Sequence, residues 1–236
     1  MKMLDLFAGL EGWSEPWREA GHEVFSVDYD PSFDVDLHAD IFELKPWDLP
    51  WVPDVVLASP PCETFSVASI GHHWTGGHRV YEPKTEEARK GKELVAATWT
   101  LIAGLLALGA QHYVIENPRG VLRKLGIIPH DPVTVWYCHY GEDRGKPTDL
   151  WHNIGQWTAS PVCHNQRPEH PEDCCCRDHV GARRGARTGT QGIQTYADRS
   201  KIPYALSKEI MNTLTSVPQE KRFRIDYRQG IIGGSK

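Results

Sequence analysis

The sequence predicts an α/β protein built on a doubly wound, mostly parallel sheet. Apolar segments of strand length alternate with helical ones through the first two thirds of the chain, the order that gives parallel strands with helices on both faces. The segment "PDVVLASPP" (53–61) carries a continuous apolar run, as a strand covered on both faces requires. A glycine turn closes the first strand in "DLFAG" (5–9), at the carboxyl edge where such sheets bind ligands.

"KMLDLFAG" (2–9) is the first strand with its turn, and "WSEPWREAG" (13–21) is a helix closed by Gly21. "HEVFSVDYD" (22–30) is the second strand, "DVDLHADIF" (34–42) a weaker third, and 53–61 the fourth. Residues 63–83, rich in Gly, His, Ser and Thr, form a loop long enough to be functional. Residues 84–110 form one long helix. Its apolar part "LVAATWTLIAGLLALGA" (94–110) is short for a bilayer span, so it reads as buried and no membrane partner is expected. "QHYVIEN" (111–117) and "PVTVWYC" (132–138) are the fifth and sixth strands. Past residue 155 the alternation fails. "IPYALSKEIMNTL" (202–214) then returns to helical spacing, with Pro203 at the helix start. The chain thus divides into a sheet domain over 1–155, a small irregular insertion over 156–195, and a return helix with a basic tail over 196–236.

A chain of 236 residues suits one large domain with a small appendage. Its net charge of −5 argues by itself against nucleic acid, but the charge is uneven. Residues 1–60 hold 13 acidic and 3 basic side chains, whereas 177–201 hold six basic against two acidic. The basic C-terminal third is a phosphate-binding face or a solvated charged surface. The start "MKMLDLFAG" lacks a secretory apolar region, so a cytoplasmic protein is expected. In that compartment the six cysteines read as thiols or metal ligands.

The turn at Gly9 lets a ligand approach the backbone, and its spacing is not G-x-G-x-x-G, which weakens a dinucleotide. Asp28 closes the second strand, where an acid accepts from ribose hydroxyls, and Asp40 closes the third, placed for an exocyclic amine. Three such positions at successive strand ends point to a nucleoside-type cofactor. Cys62 follows Pro60 and Pro61, which fix the backbone. Glu116 ends the next strand in the same layer, so a thiol would meet a proton-handling carboxyl beside that pocket.

"DLFAG", "PPC" followed by "FS", and "EN", in this order, resemble the DNA cytosine-5 methyltransferases, particularly the short phage type. The ordered matches run from about residue 4 to 152, with a looser one at 195–210. The resemblance implies a Rossmann-like methyltransferase fold, S-adenosylmethionine as cofactor, and double-stranded DNA as partner, with a cytosine flipped out of the duplex. A monomer is expected. Cys62 would attack carbon 6 of the base, and Glu116 would handle the proton at ring nitrogen N3. Asn117 would orient the Pro60–Cys62 loop, and 63–83 would close as a lid. Phe7 would face the adenine, Gly9 and Gly12 the methionine part, Asp28 the ribose, and Asp40 with Ile41 the adenine edge. Leu6, Ala8, Tyr29 and Pro60 complete the implied pocket.

The sequence departs from that pattern in three places. Glu63 replaces the usual glutamine after the cysteine, and Pro118 a commoner valine. The family's Arg-x-Arg falls on "GEDRGKPTDLW" (141–151), giving Lys146 and Thr148 with Arg144 nearby. Lysine lacks the guanidinium fork. The changes also admit a modified donor such as a carboxylated S-adenosylmethionine, whose extra carboxylate would need a cation such as Lys146. The 156–195 insertion lies where the family places target recognition. Its Cys163, Cys174, Cys176 and His179 would make a structural zinc site, with unligated surface thiols as the alternative. Rival readings are an RNA cytosine-5 methyltransferase and a zinc-bearing DNA-binding protein. A zinc deaminase would need a second cysteine that "PPCETF" lacks.

Overall fold

The computed structural model describes residues 1–77, 80–142, 145–160 and 200–216. Nine strands occur among them: β1 (Lys2–Leu6), β2 (Glu23–Asp28), β3 (Leu37–His38), β4 (Val55–Ala58), β5 (Trp74–Gly77), β6 (Val80–Pro83), β7 (His112–Pro118), β8 (Val133–Trp136) and β9 (Pro147–His152). The helices are α1 (Ser14–Glu19), α2 (Ile70–His73), α3 (Glu86–Ala107) and α4 (Tyr204–Thr215). Seven strands make one sheet in the order β3-β2-β1-β4-β7-β9-β8. The first five are parallel, and β9 runs antiparallel to both its neighbours.

The continuous apolar strands divide their side chains between two cores. Met3 of β1 and Val55 and Leu57 of β4 pack with Trp13, Trp17, Leu206 and Ile210, under α1 and α4. Leu4 and Leu6 of β1 and Val56 and Ala58 of β4 pack with Ile102 and Leu105 of α3. Successive side chains point to opposite faces, so covering both faces demands the unbroken apolar run seen in the sequence.

The helices end where their capping chemistry places them. Thr85 Oγ1 accepts from the Ala88 amide at 3.2 Å at the start of α3, with Glu86 and Glu87 in its first turn. The expected 84–110 helix is accordingly trimmed at both ends. Gly21 closes α1 at φ +78°, as its position predicts. Pro203 is the N-cap of α4 rather than its first residue.

Two elements differ from the sequence reading. Residues 63–83 are not one loop: they hold α2 and the antiparallel β5–β6 hairpin. Trp74 is buried there and its Nε1 donates to the Thr64 carbonyl at 2.6 Å. The Gly and His content hid a strand pair. The seventh sheet strand, β9, was not expected at all. It opens on Pro147 and buries Thr148 and Asp149 completely, so its polar residues broke the apolar signal. Asp149 Oδ1 accepts inside from Arg123 at 2.8 Å and from the Thr134 hydroxyl at 2.8 Å.

Candidate active site

The carboxyl ends of the parallel strands face one cavity of about 370 Å³, within the roughly 300–1,000 Å³ usual for small-molecule sites. Sheet order fixes the sequence of groups along its edge. Asp40 follows β3, Asp28 ends β2, the turn after β1 comes next, then Cys62 after β4 and Glu116 in β7.

The turn after β1 is strongly bent. Phe7, Gly9 and Glu11 have φ of +62°, +49° and +55°, and a bulky side chain such as Phe7 rarely adopts that region. The turn is tied to β2, since the Ala8 amide donates to Val27 O at 3.1 Å and the Gly9 amide to Asp28 Oδ2 at 2.9 Å. Asp28 Oδ1 accepts from the Asp30 amide at 2.9 Å. Each carboxylate oxygen keeps a second lone pair for a hydroxyl. Leu6, Phe7, Ala8 and Gly9 line the cavity from this turn, with Asp28 and Tyr29 beside them. Asp40 and Ile41 line it next to these, and Pro60 lies toward the cysteine. A Cβ on Gly9 would meet no protein atom closer than 4.0 Å, so the backbone there is open to a ligand. Gly12 also lines the cavity, but its missing side chain has a second cause. A Cβ there would lie 2.7 Å from the Ile202 amide nitrogen. That contact seats the return segment, and Ser200, Lys201 and Ile202 close the cavity from that side.

Cys62, Glu116 and Lys146 line the same cavity. The Asn117 side chain, fully buried, donates from Nδ2 to Pro60 O at 3.0 Å, and so ties β7 to the loop that carries Cys62. The Cys62 carbonyl accepts from Phe65 and Ser66 amides at 3.0 and 3.2 Å, which winds the following residues into a tight turn. Glu116 is only 4% exposed. Its Oε1 accepts from the Tyr137 hydroxyl at 2.9 Å and lies 3.8 Å from Lys146 Nζ. Lys146 Nζ also sits 4.6 Å from the centre of the Tyr137 ring. Burial pushes the Glu116 carboxyl above its ordinary range, while Lys146 and Tyr137 pull the other way and Asp149 adds to the rise. A carboxyl whose pKa is raised by burial is shifted in the direction that suits a general acid.

Glu63 and Lys90 line the cavity without having been assigned a cofactor or catalytic role from the sequence. Tyr137 was missed because it reads as the end of a strand. It is in fact the first residue of a 3₁₀ turn, Tyr137–Tyr140, that follows β8. Arg144 lies outside the described residues, as do Cys163, Cys174, Cys176 and His179. Among the described residues no group of three or more His, Cys, Asp or Glu could hold a metal ion. No helix among them is long and apolar enough to cross a membrane.

No protein-family model matches the chain. The probable DNA (cytosine-5)-methyltransferase of Frog virus 3 (isolate Goorha) is 32% identical over 224 residues, spanning 90% of this chain and 99% of that protein. Among solved structures, the methyltransferase EhMeth of Entamoeba histolytica superposes with a TM-score of 0.51 at 9% identity. The match covers 92% of this chain and 98% of that one, a likeness of fold. A putative DNA modification methyltransferase from an Escherichia coli prophage gives a TM-score of 0.46 at 17% identity, over 64% of this chain and 46% of its own. With the viral relative matched along nearly its whole length, the chain belongs to the DNA (cytosine-5)-methyltransferase family.

Proposed function

We propose that the protein transfers a methyl group to carbon 5 of a cytosine flipped out of double-stranded DNA, with S-adenosylmethionine as donor. The observation that carries this reading is the meeting of Cys62 and Glu116 in one cavity with the Phe7–Gly9 turn and Asp28.

The residues fit the donor. Asp28 and Asp40 offer carboxylates to hydroxyls and an amine, Phe7 and Ile41 offer apolar walls, and the open backbone at Gly9 leaves room for a close approach. When bound, S-adenosylmethionine supplies an electrophilic methyl group on a sulfonium. Cys62 acts as the nucleophile, as thiolate. As its Sγ bonds to carbon 6, the C5=C6 pair moves to C4=C5. The C4=N3 pair moves to N3, which takes a proton from Glu116. Carbon 5 is then electron-rich. After it is alkylated, its proton passes to a solvent base, the C5=C6 bond re-forms as the Sγ–C6 bond breaks, and N3 returns its proton to Glu116. Asn117 keeps the Pro60–Cys62 loop in place through these steps. The cost of extruding a base, a few kcal/mol, falls to the contacts of the pocket.

A donor bearing an added carboxylate would need a cation facing it. Lys146 Nζ stands instead 3.8 Å from Glu116 and over the Tyr137 ring, while Lys90 and Lys201 also line the cavity. Mass spectrometry of nucleosides, after the protein acts on duplex DNA, tests the reading. Deoxycytidine heavier by about 14 Da is the expected result, and about 58 Da marks the carboxylated donor. Modification of RNA alone overturns the DNA reading. Cys62→Ser must abolish modification, and if it does not the covalent route is wrong.

A further inference from the structure

We propose that Tyr137 is a positioning residue that holds Glu116 so that Oε1 is occupied and Oε2 carries the proton exchanged with the base. The inference rests on the cytosine-5 reading above and deepens it at the proton-handling carboxyl.

Among the described residues, both contacts of the Glu116 carboxyl, the Tyr137 hydroxyl at 2.9 Å and Lys146 Nζ at 3.8 Å, fall on Oε1. A carboxylic acid whose one oxygen accepts a hydrogen bond keeps its own proton on the other. Tyr137 is fully buried and lies against Lys146, so its ring cannot turn away. Burial and the neighbouring Glu116 push its hydroxyl well above the ordinary tyrosine value, so it stays a donor at any working pH. Among the described residues, the titratable and charged groups around Glu116 are Tyr137 after β8, Lys146 before β9, Asp149 on β9 and the Cys62 thiol after β4. Asp149 is itself paired with Arg123.

The proton balance follows. In the acid form Oε2 bears the proton and Oε1 accepts from Tyr137. When the Sγ–C6 bond forms, N3 takes that proton and Glu116 becomes a carboxylate, which the Tyr137 hydroxyl and the Lys146 ammonium stabilise. When the Sγ–C6 bond breaks, N3 returns the proton to Oε2. Tyr137 therefore acts twice: it fixes which oxygen is the acid, and it stabilises the anion left behind.

The test measures release of tritium from carbon 5 of cytosine in duplex DNA, in single turnovers across pH, for the wild type, Cys62→Ser, Tyr137→Phe, Glu116→Gln and the double variant Tyr137→Phe/Glu116→Gln. Removing the hydroxyl removes a group that lowers the Glu116 pKa. The alkaline limb of the Tyr137→Phe profile should therefore move to higher pH while the maximal rate falls on the order of 10-fold, a fraction of what a general acid supplies. The apparent affinity for DNA should change by no more than about twofold. In the Glu116→Gln background Tyr137→Phe should slow the reaction no further, since the two groups act as one. An unmoved alkaline limb, or an additive loss in the double variant, overturns the positioning role, leaving Tyr137 a packing residue. A wild type that releases no tritium, or a Cys62→Ser variant that releases as much, overturns the cytosine-5 reading itself and this role with it.

Discussion

At the residue scale, Asp5 is the sharpest case of a charge in the wrong solvent. It is fully buried in β1; Ser14 Oγ donates to Oδ2 at 2.7 Å, and Oδ1 has no partner among the described residues. Burial raises its pKa to about 7, against the Ser14 hydrogen bond that lowers it. A carboxyl whose folded pKa is raised ionises first in the unfolded chain. The stability it allows is complete below the unfolded value near 3.8 and is lost as pH rises through about 7. Asp5→Asn should thus be more stable than the wild type at pH 8, by up to about 4 kcal/mol, and equal to it below pH 4. Denaturant unfolding at the two pH values checks this, and an equal gain at both would refute it. That Cys62, Glu116 and Asp28 share one edge was legible because each stands at the carboxyl end of a strand whose apolar run announces it. Tyr137 was not, because nothing local distinguishes a buried tyrosine that packs from one that donates to a carboxyl.

The element that positions Cys62 is the stretch after it, clamped to the segment that follows β7. Val121 N donates to Phe65 O at 2.8 Å, and Ser66 bridges Gly120. A Cβ on Gly120 would lie 2.0 Å from the Phe65 carbonyl oxygen, so only glycine permits the approach. Gly120→Ala should displace the Cys62 loop by several tenths of an ångström or more. Single-turnover rates should fall by on the order of 100-fold, as small misplacements of reacting groups do, while donor binding by calorimetry stays unchanged. Loss of both together would mean that the whole fold, not the clamp, had failed. The hairpin in 74–83 escaped the sequence reading for a related reason. Its stability comes from Trp74 packed on Phe65, ring centroids 5.9 Å apart, a contact no propensity reports.

Across the whole molecule, the return of the chain is what completes the cavity. Helix α4 packs on α1 and the sheet through Leu206 and Ile210, both fully buried, and Ser207 Oγ donates to Trp13 O at 2.7 Å. Trp13 Nε1 in turn donates to Ser59 Oγ at 2.8 Å, so the return helix, the first turn and the Pro60 loop form one chain of contacts. Leu206→Ala should cost about 2–5 kcal/mol of stability, read from chemical denaturation. It should also weaken donor binding, because Ile202 is seated on Gly12 at the rim. Unchanged donor affinity at reduced stability would separate α4 from the cavity.

Period, apolar runs and turn residues are properties of neighbouring positions, and they carried the parallel sheet, the long helix α3 and the row of groups at its carboxyl edge. Parallel strands all end on one side, so that row follows from local pattern alone. Which groups meet Glu116 does not. Strand β9 inserts antiparallel between β7 and β8, so the residue before it, Lys146, arrives at the same edge as Glu116 and as Tyr137 after β8. Strand order and direction depend on how the entire sheet packs, and a hydrogen bond across it is decided by distance and angle.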